Sequence, residues 1–110
     1  MANLTNWIKE AADGEVITGV VIGHMGGHSP WSWEEGDKPD YIGNLLSWKK
    51  AKKILDYNFD DECWGVECHA IYAWTKTWVI ALDQYDGTTG YFRVPRNPQD
   101  IIPSIPGGGS

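Results

Sequence analysis

The run from Cys68 to Pro98 constrains the fold more than any other part of the chain. Apolar and aromatic residues alternate through it with the two-residue period of half-buried strands. It reads as three strands, about Val66 to Thr75, Trp78 to Tyr85 and Gly90 to Val94. Thr75-Lys76-Thr77 makes the first turn, and Asp86-Gly87 begins the second, where glycine supplies the positive φ that tight hairpins require. In the middle strand Trp78, Ile80 and Leu82 share one face, and Val79, Ala81 and Asp83 the other. Pro95 and Pro98 lack the amide hydrogen and end the pairing.

Upstream, Leu4, Trp7, Ile8 and Ala11 recur at helical spacing, which predicts a helix over Asn3 to Ala12 with Asn3 as its N-cap and Gly14 as its stop. Glu15 to Ile22 is rich in β-branched residues and reads as a strand. Gly19 marks a close approach or a bulge. Gly23 to Tyr41 breaks every period and reads as a long loop, a type that is usually functional or disordered. A second helix is predicted over Trp48 to Asp56 with Ser47 as its N-cap. Trp48, Ala51, Ile54 and Leu55 form its apolar arc and lysines fill the rest. The element order is therefore α-β-loop-α-β-β-β. It implies an α+β fold, a four-stranded, mostly antiparallel sheet packed by two helices on one face. Residues 1–98 form one globular domain, and residues 99–110 form a flexible Pro/Gly-rich tail.

Composition narrows the function classes. With 110 residues the chain suits one domain, and seven Trp, five Tyr and two Phe supply core area that a chain this short could not gather from aliphatic residues alone. The formal net charge of -6 argues against an electrostatic nucleic-acid binder, which needs a basic surface. No apolar run approaches the roughly 18–20 residues of a bilayer span. Met1-Ala2-Asn3-Leu4 lacks the basic and apolar regions of a secretory leader. A cytoplasmic protein with two free thiols is the expectation.

No segment spells out a catalytic or cofactor signature. His24, His28, Cys63 and Cys68 are zinc-type donors, but the Cys-x-x-Cys pairs of a ribbon or finger are missing. They stand as an alternative metal site beside the expectation of no cofactor. Ser29, Ser32 and Ser47 lack a Gly-x-Ser-x-Gly setting. Cys68 and His69, adjacent on a strand, diverge and make a poor nucleophile–base pair. The glycines from Gly19 to Gly27 match no phosphate-binding fingerprint.

Two surfaces are better suited to recognition. Trp31 and Trp33, followed by Glu34, Glu35 and Asp37, combine aromatic anchors with acidic groups that would favour a basic partner. Lys49, Lys50, Lys52 and Lys53 form a basic helix face suited to an acidic partner. Arg93 and Arg96 flank Pro95 and are placed to hold a carboxylate or to neutralise the acids of the neighbouring hairpin.

Several short words occur in order between Ile42 and Pro98. They are Ser47-Trp48, Leu55-Asp56-Tyr57, Phe59-Asp60, Cys68-His69-Ala70-Ile71-Tyr72-Ala73-Trp74-Thr75, Tyr85-Asp86-Gly87 and Pro95-Arg96-Asn97-Pro98. In these the chain resembles small accessory proteins of actinobacterial bacteriophages. The resemblance implies a phage product acting in the host cytoplasm and carries over no active-site residue. The expectation is a non-enzymatic viral protein that binds a host bacterial protein and modulates growth or defence. A zinc-binding domain or enzyme using Cys63, Cys68 and a histidine, a small-ligand binder, and a structural virion component are the alternatives.

Overall fold

The computed structural model describes residues 1–26 and 39–105. The elements run β1 (Ala2–Asn3), α1 (Leu4–Ala12), β2 (Gly19–Met25), β3 (Leu45–Leu46), α2 (Trp48–Leu55), β4 (Asn58–Phe59), β5 (His69–Trp74), β6 (Trp78–Tyr85) and β7 (Thr88–Pro95). The architecture is α+β, with two helices on a mostly antiparallel sheet. That sheet has five strands rather than four, in the order β3-β2-β5-β6-β7, and β1 pairs with β4 in a separate two-stranded sheet. The three extra strands are two residues long each, too short for any period to announce them.

Both helices start where their caps predict. The Asn3 side chain accepts the Asn6 amide at 3.2 Å, and the Ser47 hydroxyl accepts the Lys50 amide at 3.3 Å, each satisfying one of the unpaired donors of a first turn. α1 closes on Asp13 in the left-handed region. α2 ends at Leu55, one residue short of the predicted stop.

Register divides the sheet into two faces, because directly paired residues point the same way. Leu46, Val20, Ala73, Ile80 and Arg93 are paired across all five strands, and Ile22 pairs with Ile71 beside them. These aliphatic residues meet Leu4 and Ile8 of α1 and Ala51 and Leu55 of α2 in one core. α2 lies over β2, and α1 lies over β6 and β7. The Arg93 guanidinium sits 4.2 Å over the Trp78 ring and donates to the carbonyl of Ala11 at 2.9 Å, where the negative end of the α1 dipole favours a cation. Arg96 donates to the Thr75 carbonyl at 3.0 Å. Both arginines thus brace the fold.

The β6–β7 connection is a two-residue turn with Asp86 at φ 51° and Gly87 at φ 81°, the type I′ geometry whose twist matches a hairpin. Tyr85 faces Thr88 across it. Every second residue of β7 therefore turns its backbone groups outward: Thr89, Tyr91, Arg93 and Pro95. The Thr89 amide is taken by the Asp61 carbonyl at 2.7 Å, and Pro95 has no amide hydrogen. The same 60–65 segment is held by Gln84, whose Nε2 donates to the carbonyls of Cys63 at 2.9 Å and Trp64 at 2.8 Å.

β2 is displaced toward the C-terminus relative to its predicted Glu15–Ile22 span. Glu15 is taken by the β5–β6 turn instead: the Thr77 hydroxyl donates to it at 2.7 Å, and hydrogen bonds from Thr75 and Thr77 hold its carboxyl below the usual range. Register shifts between Ile22 and Met25, a bulge at Gly23, where a Cβ would come within 3.1 Å of the Ala70 Cβ. At Gly19 a Cβ would come within 2.8 Å of the Leu45 side chain and 3.8 Å of the Leu46 carbonyl oxygen, the close approach that a strand glycine marks. Gly23 is therefore a second strand glycine against which a neighbour packs closely. Residues 99–105 carry neither helix nor strand and are exposed. Among the described residues no helix is long and apolar enough to cross a membrane.

Candidate functional site

The side of the sheet away from the helices is the candidate site. Leu45, Val21, Tyr72, Ala81 and Phe92 are paired in a row across the five strands, and Gly19, Trp74, Val79 and Val94 form a second row beside it. No described helix packs on these rows. Tyr72 is 58% exposed, Leu45 72% and Val94 44%. Tyr72 and Trp74, two apart on β5, stand edge to face with ring centroids 6.3 Å apart, an arrangement that fixes both rings without hiding them.

Small residues give this face its relief. A hollow of about 300 Å³ is lined by Val21, Ala70, Tyr72 and Ala81 of this face, by Gly23 and His24, and by the inner-face residues Ile22, Ile71 and Leu82. A second hollow lies between Leu45, Trp74 and Thr18, with Arg96 at its edge. Asp83 and Tyr85, paired with Gly90 and Thr88, continue the same face toward the hairpin tip. The result is an apolar, aromatic strip with polar groups at its margins, a composition shared with many protein interfaces.

A second constellation lies at the end of β5. His69 is 8% exposed and sits between two tyrosines. The Tyr57 hydroxyl is 2.7 Å from Nδ1 and accepts the backbone amide of His69 itself at 2.9 Å. The other ring nitrogen, Nε2, is 3.3 Å from the Tyr41 hydroxyl. Burial keeps the His69 pKa below its usual value and pushes Tyr57 up to about 12. This is a hydrogen-bonded network of neutral groups. It bolts the 39–44 segment and the stretch after α2 to β5.

The residues singled out in the sequence are distributed as follows. Trp31, Trp33, Glu34, Glu35, Asp37 and His28 lie outside the described residues. Cys68 is fully buried, and burial raises its thiol pKa to about 11, so it is a core residue held as a neutral thiol. Cys63 is half-buried and donates to Glu67 at 3.5 Å. Among the described residues, the metal-type donors that converge are Asp60, Cys63 and Glu67, within 4.8 Å of one another. His24 is at the β2 bulge and Cys68 is in the core, so neither joins them. Lys49, Lys50, Lys52 and Lys53 are exposed along α2. Arg93 and Arg96 are on and just after β7, strands away from α2.

Sequence reasoning placed exposed rings on the sheet only in the small-ligand alternative and did not single out the residues of this face. The signal was present: Tyr72 and Trp74 alternate with Ile71 and Ala73, and Val79 with Ile80, so β5 and β6 are apolar on both faces. That pattern normally marks a strand covered on both sides. Comparison with family models, with curated proteins and with solved structures finds no match for the chain.

Proposed function

We propose that this chain is a non-enzymatic binding protein whose outer sheet face takes an apolar surface of a partner protein, a host bacterial protein if the resemblance to phage accessory products holds. One observation carries the reading. Two cross-strand rows of apolar residues lie on the side of the sheet that the helices leave open, and Tyr72, Leu45 and Val94 in them are substantially exposed. Burying such rings on association is favourable at roughly 25 cal/mol per Å², and Tyr and Trp are enriched among residues that dominate interfaces. Tyr41, His69 and Tyr57 hydrogen-bond to one another, which favours a structural role for them.

The test is affinity capture from a bacterial lysate followed by mass spectrometry, with the wild-type chain and a Tyr72→Thr, Val94→Thr double variant compared at matched fold content. Threonine keeps the strand preference and removes the apolar contact. A partner held by the wild type and lost by the double variant supports the reading. A partner retained by it sinks the sheet face as the site. A parallel Trp31→Ala, Trp33→Ala variant asks the same of the aromatic, acidic loop predicted from the sequence.

A further inference from the structure

We propose that the outward side of α2 is a second docking surface, fitted to an acidic strip on a partner protein and formed by Lys49, Lys50, Lys52 and Lys53. α2 buries Ala51 and Leu55. At helical period the four lysines fall on the opposite arc, pointing away from the sheet. All four are exposed. Among the described residues no carboxylate lies within 4.0 Å of their ammonium groups, although acidic residues outnumber basic ones 15 to 9 in the chain.

The helix is electrostatically frustrated in isolation. Lys49 and Lys53 are four apart, and Lys49 with Lys52 and Lys50 with Lys53 are three apart, so each pair repels. Lys49 and Lys50 also sit in the first turn, where the dipole favours anions, and that turn has no acidic residue. Only Lys52 and Lys53, in the last turn, are well placed for the dipole. A row of carboxylates laid along this arc would relieve every one of these repulsions.

The chemistry favours an acidic protein surface over a nucleic acid. The net charge of -6 repels an extended polyanion beyond the patch, and attraction from the patch is screened within about 8–10 Å. The patch is short, roughly 12 Å for an eight-residue helix. It is made of lysines, which act as point charges and do not read a base or a phosphate in bidentate fashion. Because α2 lies on the opposite side of the sheet from the apolar rows, this surface does not depend on the proposed function. Both surfaces could be occupied at once, which would make the chain a bridge between two surfaces.

The experiment is fluorescence anisotropy at low ionic strength with three probes: an oligoglutamate peptide, a short DNA duplex and vesicles containing phosphatidylglycerol. The expected result is binding of the peptide that weakens at least tenfold on raising salt to physiological strength. Binding should be lost in the Lys49→Gln, Lys50→Gln, Lys52→Gln, Lys53→Gln variant and kept when all four are Arg. The Tyr72→Thr, Val94→Thr variant should bind the peptide like wild type, which separates this surface from the sheet face. Circular dichroism checks that each variant is folded. No peptide binding, equal binding by the glutamine variant, or tighter binding of the duplex or vesicles would overturn the proposal.

Discussion

Tyr57 meets His69 twice, its hydroxyl accepting the His69 amide at 2.9 Å and lying 2.7 Å from Nδ1 of the same residue. Burial opposes a charge on the ring, and the folded pKa of His69 lies below its ordinary value. The unfolded chain therefore binds the proton first. Stability from this residue is complete above about pH 6.5 and is lost as pH falls toward the depressed folded value. Urea unfolding across pH 7 to 5 should show stability falling with acidification. In a His69→Asn variant, which keeps a hydrogen-bonding group beside Tyr57, that part of the slope should vanish. An unchanged slope would remove His69 from the account.

The two cysteines should differ sharply in reactivity. Cys68 is buried with its thiol raised to about 11, whereas Cys63 is half-buried in the 60–65 segment. Nucleophilic attack needs both thiolate and access. In native protein at pH 8, a thiol reagent should label Cys63 readily and Cys68 only on the timescale of unfolding. Peptide mapping after a labelling time course would show it, and equal labelling would contradict the buried placement.

The two faces of β6 make a paired test of the sheet's orientation. Ile80 is fully buried and its neighbour Val79 faces the other side. Ile80→Ala should cost about 2–5 kcal/mol, and Val79→Thr about 0.5 kcal/mol or less. Chemical denaturation of the two variants decides it, and a reversed order would mean that the helices cover the wrong face.

At the β6–β7 turn, Gly87 holds φ 81°, and an added Cβ would come 3.4 Å from the Trp64 ring. Gly87→Ala should destabilise by about 1–3 kcal/mol. Asp86→Asn should be neutral or slightly stabilising, since Asn-Gly is the preferred pair for this turn. Melting temperatures of both variants check the assignment.

The repulsion along α2 predicts a trade between stability and binding. Lys49→Glu removes two like-charge spacings, adds a favourable Glu–Lys pair with Lys53 and places an anion in the first turn. The isolated protein should gain roughly 0.5–1 kcal/mol while its affinity for an acidic probe falls. Thermal unfolding and anisotropy on the same variant read both effects.

The long-period elements were legible in the sequence and the short ones were not. α1 and β6 stand where periodicity and turn chemistry put them, and α2 begins where its cap does, because Asn3, Ser47 and Gly87 each solve a local backbone problem with one residue type. β1, β3 and β4 depend on pairing between distant segments, such as Ala2 with Phe59, and two residues carry no period. β2 was misplaced because Val16 and Ile17 look like strand residues, yet Val16 is 79% exposed and Glu15 is held by Thr75 and Thr77. The residues of the outer face were not singled out for a related reason. An apolar residue on the uncovered side of a strand has the same signature as one in a core, and only the position of the helices tells them apart.

The rim of β7 has a consequence for how this molecule survives at high concentration. With the Thr89 amide occupied by Asp61 and Pro95 unable to donate, among the described residues the outward amides of β7 left for a foreign strand are those of Tyr91 and Arg93, too short a stretch to template ribbon growth. Sticky rings on the flat of the sheet are thereby separated from the property that makes such rings dangerous. Neighbours can press against the flat of the sheet, but the β7 edge gives them little backbone to extend.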